Sequence, residues 1–165
     1  MIFYSDDIKH NYESCEEFKN DTEMIFTYFA YSVIGIDYIK NLLEYETNKI
    51  AFYCIDNDEF NIRNCPSCMI YAKNGTDYYI MIICTLKKFR NLGYATMLLK
   101  GFIDNIKQTG QSCKIILSAL DDVVSYYQHL GFEAVDYTLE NYPYLLQFEK
   151  FDSDKMYTVM EYVIE

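Results

Sequence analysis

The feature that most restricts this chain is a junction near its middle. Tyr78 to Thr85 (YYIMIICT) is an almost unbroken apolar run, the pattern of a central strand covered on both faces. Leu86 to Gly93 follow, and then an amphipathic helix in which Tyr94, Leu98, Leu99, Phe102, Ile103 and Ile106 recur at helical spacing. Lys100 and Lys107 fall on its other side, and Gly110 is a natural stop. A buried strand that delivers directly into a one-faced helix requires a sheet with helices layered on it.

The flanking segments fit that plan. Residues 1–4 read as a short first strand. Ser14 to Glu46 carries spacings of three and four, and predicts two helices divided at Gly35. Ile50 to Ile55 and Cys68 to Ala72 are strands, and Asn74-Gly75 favours a tight hairpin turn into Tyr78. Beyond the central helix, Cys113 to Leu120 is a second buried strand. Asp121 or Asp122 is placed to cap a helix bearing Val124, Tyr127 and Leu130. Gly131 ends that helix, Phe132 opens another strand, and Met156 to Ile164 is the last. The expectation is one α+β (mixed α/β) domain over residues 1–165.

Charge and cysteine usage narrow the function. A formal net charge of −11 argues against a nucleic-acid surface, which needs clustered Lys and Arg. An acidic face can attract a cationic amine, or can serve solubility alone. Met24 to Ile36 is too short and too polar to span a bilayer, and the N-terminus carries acids where a secretory signal carries bases. A soluble cytoplasmic protein without a membrane partner is expected. Of six cysteines, Cys65 and Cys68 form a single CxxC with no second pair and no histidine at zinc-site spacing, so no metal is expected. Cys54, Cys84 and Cys113 lie in apolar runs and read as small hydrophobes.

The junction itself carries the chemistry. A helix N-terminus offers unpaired backbone N–H groups and a partial positive charge, which suit a pyrophosphate. Gly93 lets the main chain come close to phosphates, Ala95 is the next smallest option, and Arg90 adds a fixed positive charge. Arg90 is one of two arginines in the chain, the other being Arg63. The loop matches neither Gly-x-x-x-x-Gly-Lys-Ser/Thr nor Gly-x-Gly-x-x-Gly, which speaks against a nucleotide-binding module.

The order Arg90-x-x-Gly93-x-Ala95, after a buried strand and before an amphipathic helix, resembles the cofactor motif of the GNAT superfamily of N-acetyltransferases. Tyr126-Tyr127-Gln128-His129-Leu130-Gly131-Phe132 resembles the family's closing helix motif, so the resemblance covers Tyr78 to about Phe132. It implies a central mixed, mostly antiparallel sheet with two splayed parallel strands, flanked by helices. It also implies acetyl-coenzyme A (acetyl-CoA) as cofactor. The pantetheine arm would pair with main-chain groups of Ile83, Cys84 and Thr85, and the pyrophosphate would rest on amides of Arg90, Asn91, Leu92, Gly93, Tyr94, Ala95 and Thr96.

The family's reaction is direct attack of a neutral amine on the thioester. Tyr127 matches the position of a tyrosine that gives a proton to the departing sulfur; packing beneath the helix is its alternative role. Asp77 roughly matches a carboxylate base of relatives that acetylate protein lysines, although a two-residue gap would put Tyr79 there. Ser118 is placed to order a water that relays the proton. The family commonly has an Asn before the closing helix, where this chain has Leu120 or Asp121. The acceptor implied is a primary amine: a protein lysine or N-terminus, or a small amine such as a polyamine or amino sugar. A GNAT-fold domain that binds acyl-CoA or a partner without turnover is the alternative. Monomer and homodimer are both compatible with the sequence.

Overall fold

A computed structural model of the chain describes residues 1–29, 36–56, 59–135, 139–147 and 157–165. Among these, seven strands form one sheet in the order β1-β2-β3-β4-β5-β7-β6. The strands are β1 (Ile2–Tyr4), β2 (Asn48–Tyr53), β3 (Ser67–Asn74), β4 (Asp77–Thr85), β5 (Cys113–Leu120), β6 (Glu133–Ala134) and β7 (Tyr157–Ile164). The helices are α1 (Ser5–Ile8), α2 (Cys15–Phe29), α3 (Ile36–Glu44), α4 (Tyr94–Gln108), α5 (Val124–His129) and α6 (Pro143–Leu146). Gly35, read as the divider of α2 from α3, lies outside the described residues.

Every strand pair is antiparallel except β4 with β5. That exception follows from connectivity: α4 carries the chain back over the sheet, so β5 runs beside β4 in the same direction. Strand alternation then sorts side chains into two cores. On one face Ile50, Phe52, Cys68, Ile70 and Ile82 pack with Ile39 and Leu42 of α3 and Phe18 of α2. On the other, Ala51, Met69, Ile80, Ile115 and Leu117 pack with Leu98, Leu99, Phe102, Ile103 and Ile106 of α4. These α4 residues are the apolar stripe that the sequence presents, and all five are buried.

Two details depart from the sequence reading. Asp121 and Asp122 do not cap α5; with Val123 they form a short 3₁₀ turn, and Val123 precedes the helix without a side-chain cap. Cys54 is not a free hydrophobe, because it forms a disulfide with Cys65, eleven residues on. This bond also takes Cys65 out of any CxxC pairing with Cys68, and no cluster of metal-ligating side chains occurs among the described residues. No helix of the described residues is long and apolar enough to cross a membrane.

Candidate active site

The site begins where β4 and β5 part. They pair at Tyr78–Ile115, Tyr79–Ile116 and Ile80–Leu117, and there the pairing stops. Both strands continue, to Thr85 and to Leu120. The cause lies on the other edge of β4. Against β3, Ile82 pairs with Ile70 and Ile80 with Tyr71, so Met81 is an extra residue without a partner. A bulge bends its strand, and this one swings the end of β4 away from β5. The result is a fork whose two prongs are 81–85 and 118–120.

Main-chain groups line the β4 prong. Ser67 Oγ donates to the Cys84 carbonyl at 2.8 Å, and the Leu86 N–H donates to the Pro66 carbonyl at 2.9 Å. Cys84 and Leu86 therefore turn their main-chain groups towards β3. Alternation turns those of Ile83 and Thr85 into the fork. Of the three residues singled out for main-chain pairing, two face the fork and Cys84 faces away.

At the tip of this prong the chain turns tightly into α4. Asn91 (φ 64°) and Gly93 (φ 85°) both adopt left-handed backbone, and Arg90 Nε donates to the Thr85 carbonyl at 3.3 Å, folding the loop back on its strand. The Met97 N–H closes the first bond of the helix, onto the Gly93 carbonyl at 2.9 Å. The amides ahead of it, through Tyr94, Ala95 and Thr96, receive no side-chain cap, and the first turn holds no acid. Leu92 stands exposed beside them, and Tyr94 is wedged between the rings of Tyr53 and Phe89. An uncapped helix end next to Arg90, Lys87 and Lys88 favours negative charge.

The other prong leads to Tyr127. α5 places it against Phe132 and Tyr126, at ring distances of 5.7 and 5.1 Å. Its carbonyl accepts the N–H groups of Leu130 and Phe132, a closure that Gly131 permits at φ 103°. Burial raises the Tyr127 pKa above the usual tyrosine range, with Tyr126 and Cys84 adding to the shift. Burial also pushes the Cys84 thiol up to about 12, against a smaller opposite pull from Arg90. At neutral pH Tyr127 is thus a phenol and Cys84 a thiol, the latter a poor nucleophile.

The candidate base and the serine placed to order a water stand apart. Ser118 is the first β5 residue beyond the paired segment, and its hydroxyl is shut off from solvent with no hydrogen-bond partner. Asp77 sits at the closed end, four residues and about 13 Å before the fork. Its Oδ1 accepts the Lys114 N–H at 2.9 Å. The structure thus gives Asp77 a duty in strand pairing and does not bring it to Tyr127.

A forked parallel pair beside an uncapped, glycine-bearing helix start defines the class of acyl-group transferases that hold a thioester cofactor between two strands. Residues 66–142 match the model of the acetyltransferase (GNAT) domain, and over that segment the chain is similar to the GNAT superfamily. Its fold is similar to Tetrahymena GCN5, with a TM-score of 0.66 and 14% identity over 94% of this chain and 91% of that one. The Escherichia coli ribosomal-protein-S18-alanine N-acetyltransferase has a TM-score of 0.62 and 13% identity, over 100% of this chain and 95% of that one. A GNAT family acetyltransferase from Elizabethkingia anophelis, with acetyl-CoA bound, has a TM-score of 0.58 and 17% identity over 84% of this chain and 89% of that one. No curated protein sequence matches the chain.

Proposed function

We propose that this protein is an N-acetyltransferase that moves an acetyl group from acetyl-CoA to a primary amine. The observation that carries the reading is the fork opened by the Met81 bulge, which ends at the uncapped amides of α4. The residues present fit the cofactor. Main-chain groups of Ile83 and Thr85 would hold its pantetheine arm, and the amides from Asn91 to Thr96 its pyrophosphate, with Arg90 bracing the loop. When bound, the cofactor supplies an activated acetyl thioester.

The chain's own residues then do three things. By holding the cofactor between its prongs, the fork would bring the thioester beside a bound amine and so convert a bimolecular step into a nearly unimolecular one. Tyr127 keeps its proton through neutral pH because it is buried, and so serves as the acid for the departing sulfur. The Ser118 hydroxyl, buried and without a partner, holds the acceptor nitrogen or a water beside it. An unmade hydrogen bond in such a place costs about 1–3 kcal/mol, which binding of a polar group would offset. The protonated state of Cys84 speaks for direct attack over an acyl-cysteine intermediate.

The test is turnover. Purified protein would be given acetyl-CoA with a lysine peptide, a peptide with a free N-terminus, a polyamine and an amino sugar, and thiol release followed. Amine-dependent thiol release is expected. Binding of acetyl-CoA with no transfer to any amine would favour the non-catalytic alternative.

A further inference from the structure

On the sheet face opposite α4, one buried carboxylate is unused by this chemistry. Glu161 of β7 is 8% exposed and is the one charged residue among the buried described residues. Burying a carboxylate is costly unless partners compensate. Here Tyr142 donates its hydroxyl to Oε1 at 2.7 Å, and Lys114 Nζ lies 3.3 Å from Oε2.

The two partners are unequal. The Tyr142 bond is buried and short, whereas the Lys114 side chain is 47% exposed and reaches in from the rim. Asp77 accepts the main-chain N–H of Lys114, which places a second carboxylate near the pair while the ammonium itself goes to Glu161. Both carboxylates act on Tyr79, whose pKa is raised by burial first and then by Asp77 and Glu161.

Register fixes the position of this carboxylate relative to the fork. Glu161 pairs with Ile116, and Val159 pairs with Ser118. Glu161 and Ser118 therefore sit on one face, two residues or about 7 Å apart along the strands. A solvent-excluded hydroxyl without a partner at the fork and a buried carboxylate one row below form a pair of anchors.

We propose that the acceptor is an amine with a second cationic centre, and that Glu161 receives that second ammonium in place of Lys114 while the first nitrogen sits at Ser118. The inference rests on the acetyltransferase reading above. A four-carbon diamine has the reach to touch both anchors. Glu161 acts here on selectivity, with Tyr142 holding its carboxylate in place.

The experiment compares 1,4-diaminobutane with n-butylamine as acceptors, by the ratio of their kcat/KM values, in the native protein, Glu161→Gln and Lys114→Gln. The native protein should prefer the diamine by about tenfold or more, the scale of one hydrogen bond to a charged group. Glu161→Gln should bring the ratio near one, and Lys114→Gln should raise it by freeing the carboxylate. Opposite movement of the two variants separates recognition from general damage, which would move both the same way. A native ratio near one, turnover of neither amine, a ratio unchanged in Glu161→Gln, or movement of both variants in one direction would overturn the proposal. If Glu161→Gln does not fold, Lys114→Gln decides alone: a raised ratio supports the proposal and any other result defeats it. Absence of any acetyl-CoA thermal shift in the native protein would instead sink the cofactor reading, and this inference with it.

Discussion

The hydroxyls of Thr96 and Tyr126 lie 2.8 Å apart. Thr96 is in the first turn of α4, where we place the pyrophosphate, and Tyr126 precedes the proposed acid Tyr127. One hydrogen bond thus ties the cofactor end of the site to its acid. Thr96→Val and Tyr126→Phe should each lower stability, and a double-mutant cycle should give a coupling of about 0.5–1.5 kcal/mol. Strictly additive losses would show that the contact carries no energy.

Tyr127→Phe should lower kcat by roughly one to three orders of magnitude with acetyl-CoA affinity little changed, because only the proton donor is removed. The pH profile gives a second check. Burial raises the Tyr127 pKa, so the acid is present at neutral pH and is lost only as pH rises past the usual tyrosine value of about 10. Equal kcat in the two proteins would remove Tyr127 from the mechanism.

Gly93→Ala and Gly131→Ala separate a site glycine from a packing glycine. A Cβ on Gly93 would meet no protein atom within 4 Å, so its cost to the fold is the left-handed backbone alone, about 1–2 kcal/mol. It should in addition lower cofactor affinity about tenfold or more, at least about 1.4 kcal/mol. A Cβ on Gly131 would come within 2.8 Å of Tyr162 Cε2. That ring is held by Phe132 and by Lys107 Nζ on its hydroxyl, so overpacking adds about 1–3 kcal/mol of instability. Denaturant melts and cofactor titrations of both variants check the contrast.

Reduction should destabilise the protein by about 2–3 kcal/mol, the chain-entropy value for a loop this short, since Cys54–Cys65 closes an eleven-residue separation. Thiol labelling of the oxidised protein near neutral pH should mark exposed Cys15 ahead of buried Cys68 and Cys84. Burial holds both buried thiols protonated. Labelling of Cys54 before reduction would contradict the disulfide.

The core of the site was legible because its signals are local. A continuous apolar strand, a helix with five buried residues at regular spacing and a glycine between them give β4, the loop and α4 in register. Tyr126 to Phe132 gave α5 in the same way. What stayed hidden depends on contacts across the sheet. Nothing near Met81 says that it is unpaired, because the bulge is a mismatch between two strands. Cys54 and Cys65 meet only because β2 and β3 run antiparallel, which carries both to the same end of the sheet. Glu161, in the run Tyr157–Ile164, reads as an outward residue until Tyr142 is folded over it. α1 is too short to show a period, and is fixed instead by the Ser5 hydroxyl accepting the Ile50 N–H at 3.0 Å.

Of all these measurements, calorimetric or thermal-shift titration of the native protein with acetyl-CoA, ATP and NAD bears most directly on the account. Binding to the folded state alone adds about 2.7 kcal/mol of stability at a hundredfold excess over Kd. Stabilisation by acetyl-CoA, weakened in Gly93→Ala and absent with ATP and NAD, is the predicted result. A folded protein that responds to ATP or NAD, or to none of the three, would contradict the assignment of the fork and the α4 amides to acetyl-CoA.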